Sequence, residues 1–123
     1  MERDLNLIRN ILLAIEKSDK SYAESEVILA LDKEQKVLYH LSLLREQNYI
    51  KILGAFHRLL SLKWVFRGSV ELTNDGYEFL STIKDNKIFQ RIKKVFKEKS
   101  ISFGLYMVKA YGLYLLNEKL GIK

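Results

Sequence analysis

The side chains best suited to chemistry in this sequence are hydrogen-bond donors and cations of the kind that meet phosphates and base edges. They fall in three groups: Lys33, Lys36, Tyr39, His40 and Gln47; then Arg58, Lys63 and Arg67; then Lys87, Arg91 and Lys94. Lys and Arg neutralise phosphate, while Lys, Gln and Tyr on a helix can also hydrogen-bond bases. No comparable set exists for catalysis. There is no Gly-rich phosphate loop, no Ser or Cys nucleophile motif, and no carboxylate pair placed with a base. Cysteine is absent, which excludes disulfides and thiolate metal sites. The two histidines, His40 and His57, have no Asp or Glu at a metal-motif spacing, so neither a metal nor a cofactor is expected.

Charge sharpens this reading. The net charge is +6 and the pI is near 9.5. Residues 1–31 hold four basic and six acidic side chains, and the stretch from Asp32 to Ile50 holds three of each. Residues 51–72 hold four against one, 73–99 seven against four, and 100–123 three against one. The positive field thus belongs to the middle and the end of the chain. Nucleic acid, an anionic membrane surface and an acidic partner are the classes it fits. A basic stripe is more often only a solvated face.

Elements must position these groups. Asp4 to Lys17 reads as a core helix, with Leu5, Ile8, Leu12 and Ile15 in one stripe widened by Leu7, Ile11 and Ala14. Ser18 to Ser21 is a polar turn, and residues 22–31 leave open a buried strand or part of a helix, with a short strand or turn before Asp32 favoured. Asp32 with Gln35 forms a capping-box pattern for a helix from Lys33 to Gln47. Its inner side would carry Val37, Leu38, Leu41, Leu44 and Asn48; its outer arc Lys36, Tyr39, Leu43 and Glu46, flanked by Lys33, His40 and Gln47.

Two extended runs follow, the first bent or bulged at Gly54 and the second, Leu62 to Arg67, broken by Gly68-Ser69. Alternation sets Trp64 and Phe66 on one face and Lys63, Val65 and Arg67 on the other. Thr73 caps a helix through Tyr77, Phe79, Leu80 and Ile83. Asp85 caps the next, with Ile88, Ile92, Val95 and Phe96 inward and Lys87, Arg91 and Lys94 outward, Lys93 and Lys97 beside them. Ser102 caps a last helix from Phe103 to about Lys119, closed by Gly121. That helix has two apolar faces, Leu105, Val108, Tyr111 and Leu115 on one, Tyr106, Ala110, Leu113, Tyr114 and Asn117 on the other. The second face suits a dimer seam or a position sandwiched within one copy.

Helix, two-stranded hairpin, helix is the order of the C-terminal half of a winged-helix domain. The expected fold is α+β, mainly α: one winged-helix-like domain over residues 1–123, with a two- or three-stranded wing and a helical extension at about 86–120. No bilayer span fits the last helix, which carries Lys109 at its middle. The opening Met1-Glu2-Arg3-Asp4 lacks a signal-peptide pattern, so a cytoplasmic location is expected.

Several stretches carry a resemblance. They are Arg3-Asp4-Leu5-Asn6-Leu7-Ile8-Arg9 with Ile11-Leu12-Leu13-Ala14-Ile15-Glu16, and Val37-Leu38-Tyr39-His40-Leu41-Ser42-Leu43-Leu44. Leu72-Thr73-Asn74-Asp75-Gly76-Tyr77-Glu78-Phe79-Leu80, Ile83-Lys84-Asp85-Asn86-Lys87-Ile88-Phe89 and Ile101-Ser102-Phe103 extend it. As an ordered set they resemble a bacterial and phage family of unknown function, domain of unknown function 2513. The resemblance implies a small winged-helix-like protein, often encoded by phages or prophages, with no known activity and no functional residues to carry over. The chain departs from the family pattern in its long, aromatic segment 51–68.

The leading expectation is a dimeric DNA-binding regulator of phage or prophage type. In it Lys33, Lys36, His40 and Gln47 face a major groove, Arg58, Lys63 and Arg67 meet phosphates, and the last helix sets half-site spacing. The alternative is an accessory protein docking on a host protein, with Tyr39, Leu43 and Trp64 as anchors.

Overall fold

The apolar stripe of the N-terminal segment coils into α1 (Leu5–Glu16), which buries Leu5, Leu7, Ile8, Ile11, Leu12 and Ile15. Asp4 is its N-cap, accepting the Leu7 N–H at 3.1 Å, so it stands just before the first turn. The computed structural model describes residues 3–18, 20–62, 64–98 and 104–121, the side chains of Trp64 and Glu98 excepted. The architecture is α+β, mainly α, and divides into two compact units, Met1–Tyr77 and Glu78–Lys123.

In the first unit α1 is followed by β1 (Ala23–Glu24), α2 (Ser25–Leu29), α3 (Glu34–Glu46), β2 (Ile50–Arg58) and β3 (Trp64–Leu72). Residues 22–31 therefore hold a two-residue strand and then a short helix. The expected strand or turn is right only for Ala23–Glu24, and the apolar run from Val27 belongs to α2 and the turn after it. Only Ile28 of that run is buried, which a helical face satisfies and an alternating strand does not. Asp32 accepts the Lys33 N–H at 2.7 Å, and the N-cap of α3 is Lys33, whose side chain makes no capping bond.

The three strands pair antiparallel in the order β1-β3-β2. The β2–β3 ladder runs without interruption from Ile50↔Leu72 to Arg58↔Trp64, so Gly54 is not a bulge and Gly68-Ser69 is not a break. The two glycines oppose each other instead, at φ +140° and +150°. A Cβ at either would stand about 2 Å from a facing carbonyl oxygen (2.2 Å to Arg67, 2.0 Å to Leu53). Glycine is the residue that permits both the dihedral and the approach. Beyond this pair the hairpin is an exposed arm, with only Phe66 buried and Phe56 and Val65 half-buried among its described side chains.

The start of α4 (Asn74–Ile83) completes the first unit. Thr73 caps it as expected, accepting the Gly76 N–H at 2.9 Å while donating to the Asn48 carbonyl at 2.6 Å. Asn48, placed on the inner face of α3 by spacing, is exposed with φ +60° and turns the chain from α3 into β2.

The second unit holds the rest of α4, α5 (Asn86–Glu98) and α6 (Leu105–Lys119). Its buried side chains include Ile83, Ile88, Ile92, Phe96, Val108 and Leu115, while Val95 is half-buried. Gly112 lies against Thr82, whose Cβ would stand 2.7 Å from any Cβ placed there. Asp85 caps α5 as expected: Oδ1 accepts the Lys87 and Ile88 N–H groups at 2.8 and 3.1 Å, and Oδ2 accepts Lys119 Nζ. Gly121 ends α6 at φ +75°, whereas Ser102 and Phe103 lie outside the described residues.

The Asp85 pairing has a pH signature. Lys119 first, and then the Ile88 N–H, hold its carboxyl down from 3.8 to about 2. A carboxylate depressed in the folded state stabilises it fully above the unfolded value and loses that contribution as pH falls through the folded one. An NMR titration should therefore show the Asp85 carboxyl ionising near pH 2. Thermal stability should drop between about pH 4 and pH 2, less so in Asp85→Asn.

Candidate nucleic-acid interface

A helix with Val37, Leu41 and Leu44 inward turns Gln35, Tyr39, Ser42 and Glu46 outward at i, i+4, i+7 and i+11. This row is the true outer face of α3. Gln35, Leu38, Tyr39, Ser42 and Arg45 line a cleft of about 430 Å³ whose far wall is Phe56 of β2. The Arg45 guanidinium lies 5.3 Å from the centroid of the Phe56 ring, and Phe56 stacks on Phe66 at 5.1 Å. A guanidinium stacked by its face keeps its N–H edge available for an anion. Sequence reasoning missed Arg45, and also Gln35 and Ser42. The 100° step per residue was the signal that could have found the latter two.

Lys36 and His40 serve a different purpose. His40 is fully buried, so its expected place facing a groove is corrected. Its Nε2 accepts the Asp4 backbone N–H at 2.8 Å and its Nδ1 donates to the Lys36 carbonyl at 2.7 Å, the neutral tautomer this geometry requires. Lys36 Nζ bridges Asp4 Oδ2 at 2.7 Å and Asp32 Oδ2 at 3.2 Å. The cluster fastens the start of α1 to the start of α3. Burial alone would raise the Asp4 carboxyl, but the Lys36 and Leu7 hydrogen bonds outweigh it and hold the group below its usual value. The Lys33 N–H and then Lys36 lower Asp32 likewise, and Asp4 followed by Asp32 raises Lys36.

The remaining expected residues lie as follows. Lys33 and Gln47 are exposed at opposite ends of α3, and Tyr39 is half-buried at the cleft. Arg58 and Arg67 are both exposed on the hairpin but on opposite faces. Arg58 shares the Phe56 side, whereas Arg67 opposes Ala55 on the side of Lys51 and Leu53. Lys63 lies outside the described residues, as does the Trp64 side chain. In the second unit Lys87, Arg91 and Lys94 are exposed along α5 as their spacing predicts, and Lys93 Nζ sits 5.0 Å from the Phe89 ring. On α6 Tyr106, Ala110, Tyr114 and Asn117 are exposed and Leu113 is half-buried.

The charge follows the units. Residues 1–77 hold eleven basic and eleven acidic side chains, and residues 78–123 hold ten and four. Within the first unit, Lys51, Arg58, Lys63 and Arg67 lie in residues 51–70, which contain no carboxylate. The hairpin arm is therefore a cation set against an otherwise acidic body. No helix among the described residues is long and apolar enough to cross a membrane.

Comparison with known proteins agrees with the resemblance read from the sequence. Residues 2–102 match the model of a family described as "Hypothetical protein (DUF2513)". An uncharacterised protein of Haemophilus influenzae is 26% identical over 122 residues, which cover 98% of this chain and 99% of the relative.

Proposed function

The chain belongs to the DUF2513 family, whose description names no activity, and we propose from its own surface that it binds duplex DNA as a winged-helix-like protein. The observation that carries this reading is the hairpin arm beyond Gly54 and Gly68, whose sequence holds Arg58, Lys63 and Arg67 and no carboxylate. Counterion release makes such a surface a phosphate-binding one. The order α1, β1, α2, α3, β2, β3 with sheet order β1-β3-β2 supports a winged-helix arrangement, in which β2 and β3 form the wing.

In this proposal the arm carries more of the contact than α3 does. Lys36 is engaged by two carboxylates and His40 is buried. Tyr39, Gln35 and Arg45 are then the groove-side groups of α3, with Lys33 and Gln47 at its ends. Arg58, Lys63 and Arg67 meet phosphates, and Lys87, Arg91 and Lys94 supply a second basic surface. The exposed α6 face of Tyr106, Ala110, Leu113, Tyr114 and Asn117 would join two copies, as a cytoplasmic phage or prophage regulator requires for a two-fold operator.

Titration of a mixed duplex pool across a salt series tests the reading, with mass by light scattering on the same sample. Arg58→Glu and Arg67→Glu should each weaken binding and each reduce the salt slope by about one unit. Lys36→Ala should leave the slope unchanged. Binding that disappears near physiological salt, with no sequence-selected fraction, would end the proposal.

A second reading rests on the cleft between α3 and Phe56. Its lining has Leu38, Tyr39 and Phe56 beside a single cation, Arg45, which suits a host-protein side chain as well as a base. On that reading, loss of Tyr39 or Phe56 would break a specific protein complex and leave DNA irrelevant, while Leu43, expected as an anchor, is half-buried and outside the cleft lining.

A further inference from the structure

The arm ends in leucine. Its turn is closed by the Leu62 N–H donating to the Leu59 carbonyl at 2.8 Å, with Leu62 at φ +67°. Leu59 is 48% exposed, Leu62 68%, and Leu60, at the outermost corner, 105%. Three leucines presented to water on a turn that glycine, asparagine or serine would ordinarily fill are an unexplained cost to the folded chain. They are flanked by Arg58 and Lys63, and no carboxylate lies between Lys51 and Val70.

We propose that the leucine tip is a wedge that enters the minor groove of duplex DNA at Leu60 and unstacks a base step, kinking the duplex; this rests on the DNA-binding reading above. Two observations direct it to a groove. The arm is long enough: from Gly54↔Gly68 to Arg58↔Trp64 is four residues. At about 3.3 Å per residue that is about 13 Å before the turn begins, against a minor groove about 7.5 Å deep. The cations are distributed on both faces of the ribbon, Arg58 on one and Arg67 on the other. A ribbon between two phosphate walls meets charge on both sides, whereas a ribbon standing on a membrane meets it at the tip alone. Undistorted, that groove is about 6 Å wide and too narrow for a two-stranded ribbon with side chains on both faces, so entry requires the duplex to bend. An apolar wedge between base steps bends DNA toward the major groove, and the bend opens the minor groove to the ribbon that carries it.

The experiment uses the full chain and duplexes of about 30 base pairs with a donor and an acceptor fluorophore at their ends. The wild type should bind and shorten the end-to-end distance, as a kink of about 20–90° does. The Leu60→Ser, Leu62→Ser double variant should keep the salt slope, lose no more than about tenfold in affinity, and leave the duplex straight. Leu60→Phe, which keeps an apolar tip, should retain the bend. Because both leucines are exposed, the variants are expected to fold, and far-UV circular dichroism checks this. Binding by the wild type without bending, or equal bending by the serine variant, overturns the wedge and spares the DNA reading. Absence of wild-type binding overturns both. Leucine-dependent binding to vesicles of anionic phospholipid, with no leucine-dependent effect on DNA, overturns the wedge in favour of a membrane surface.

Discussion

Replacing Gly76 with valine should destabilise the protein by about 3 kcal/mol, read as a lower urea midpoint at an unchanged slope. A Cβ at this position would stand 1.9 Å from the Tyr49 carbonyl oxygen and 2.9 Å from its carbon. Both neighbours are backbone, so no side chain can swing aside to relieve the clash. The same carbonyl accepts the Thr73 N–H at 3.1 Å, and the Asn48 carbonyl accepts the Thr73 hydroxyl. Moving α4 away from Gly76 would therefore break the bonds that hold its first turn to the end of α3. Asn74→Ala and Asp75→Ala, exposed in the same turn, should change stability by no more than about 0.5 kcal/mol.

Replacing His40 with alanine should cost about as much, roughly 3 kcal/mol, by a different route. The ring fills a fully buried site and satisfies two backbone groups, the Asp4 N–H and the Lys36 carbonyl. Alanine leaves a cavity and unpairs the Asp4 N–H, while the Lys36 carbonyl keeps the backbone bond of the helix. His40→Phe fills the space without serving either group, so it should recover only the packing share of the loss. Where His40→Phe is still folded, its affinity for DNA should equal that of the wild type. A selective loss of DNA binding would return His40 to the interface.

The sequence was most readable where one local rule acts alone. The stripe of α1 and the caps Thr73 and Asp85 depend on residues within one turn, and they form as expected. Reading failed where a distant group decides. Lys36 and His40 look solvent-facing until Asp4, far away in the chain, arrives to pair with both. Gly54 reads as an interruption until Gly68 is known to oppose it, after which both are requirements of a continuous ladder. The short helix α2 was hidden because five residues carry little periodicity, and the strand before it is formed only by pairing with β3. For the interface, the cations of the arm were evident by residue type. Their division between two faces, and the part played by Arg45, needed the register and the Phe56 contact.

The unbroken ladder also makes the length of the arm a quantised property. Deleting one residue from each strand would keep every remaining pair bonded but turn the tip over, because successive side chains point to opposite faces. The cleft side and the outer side would then exchange cations. Only steps of two residues per strand, about 7 Å of reach, preserve which way the leucines and arginines look. An arm of this design can thus be lengthened or shortened by four residues at a time with its chemistry intact, and by two only with its chemistry reversed.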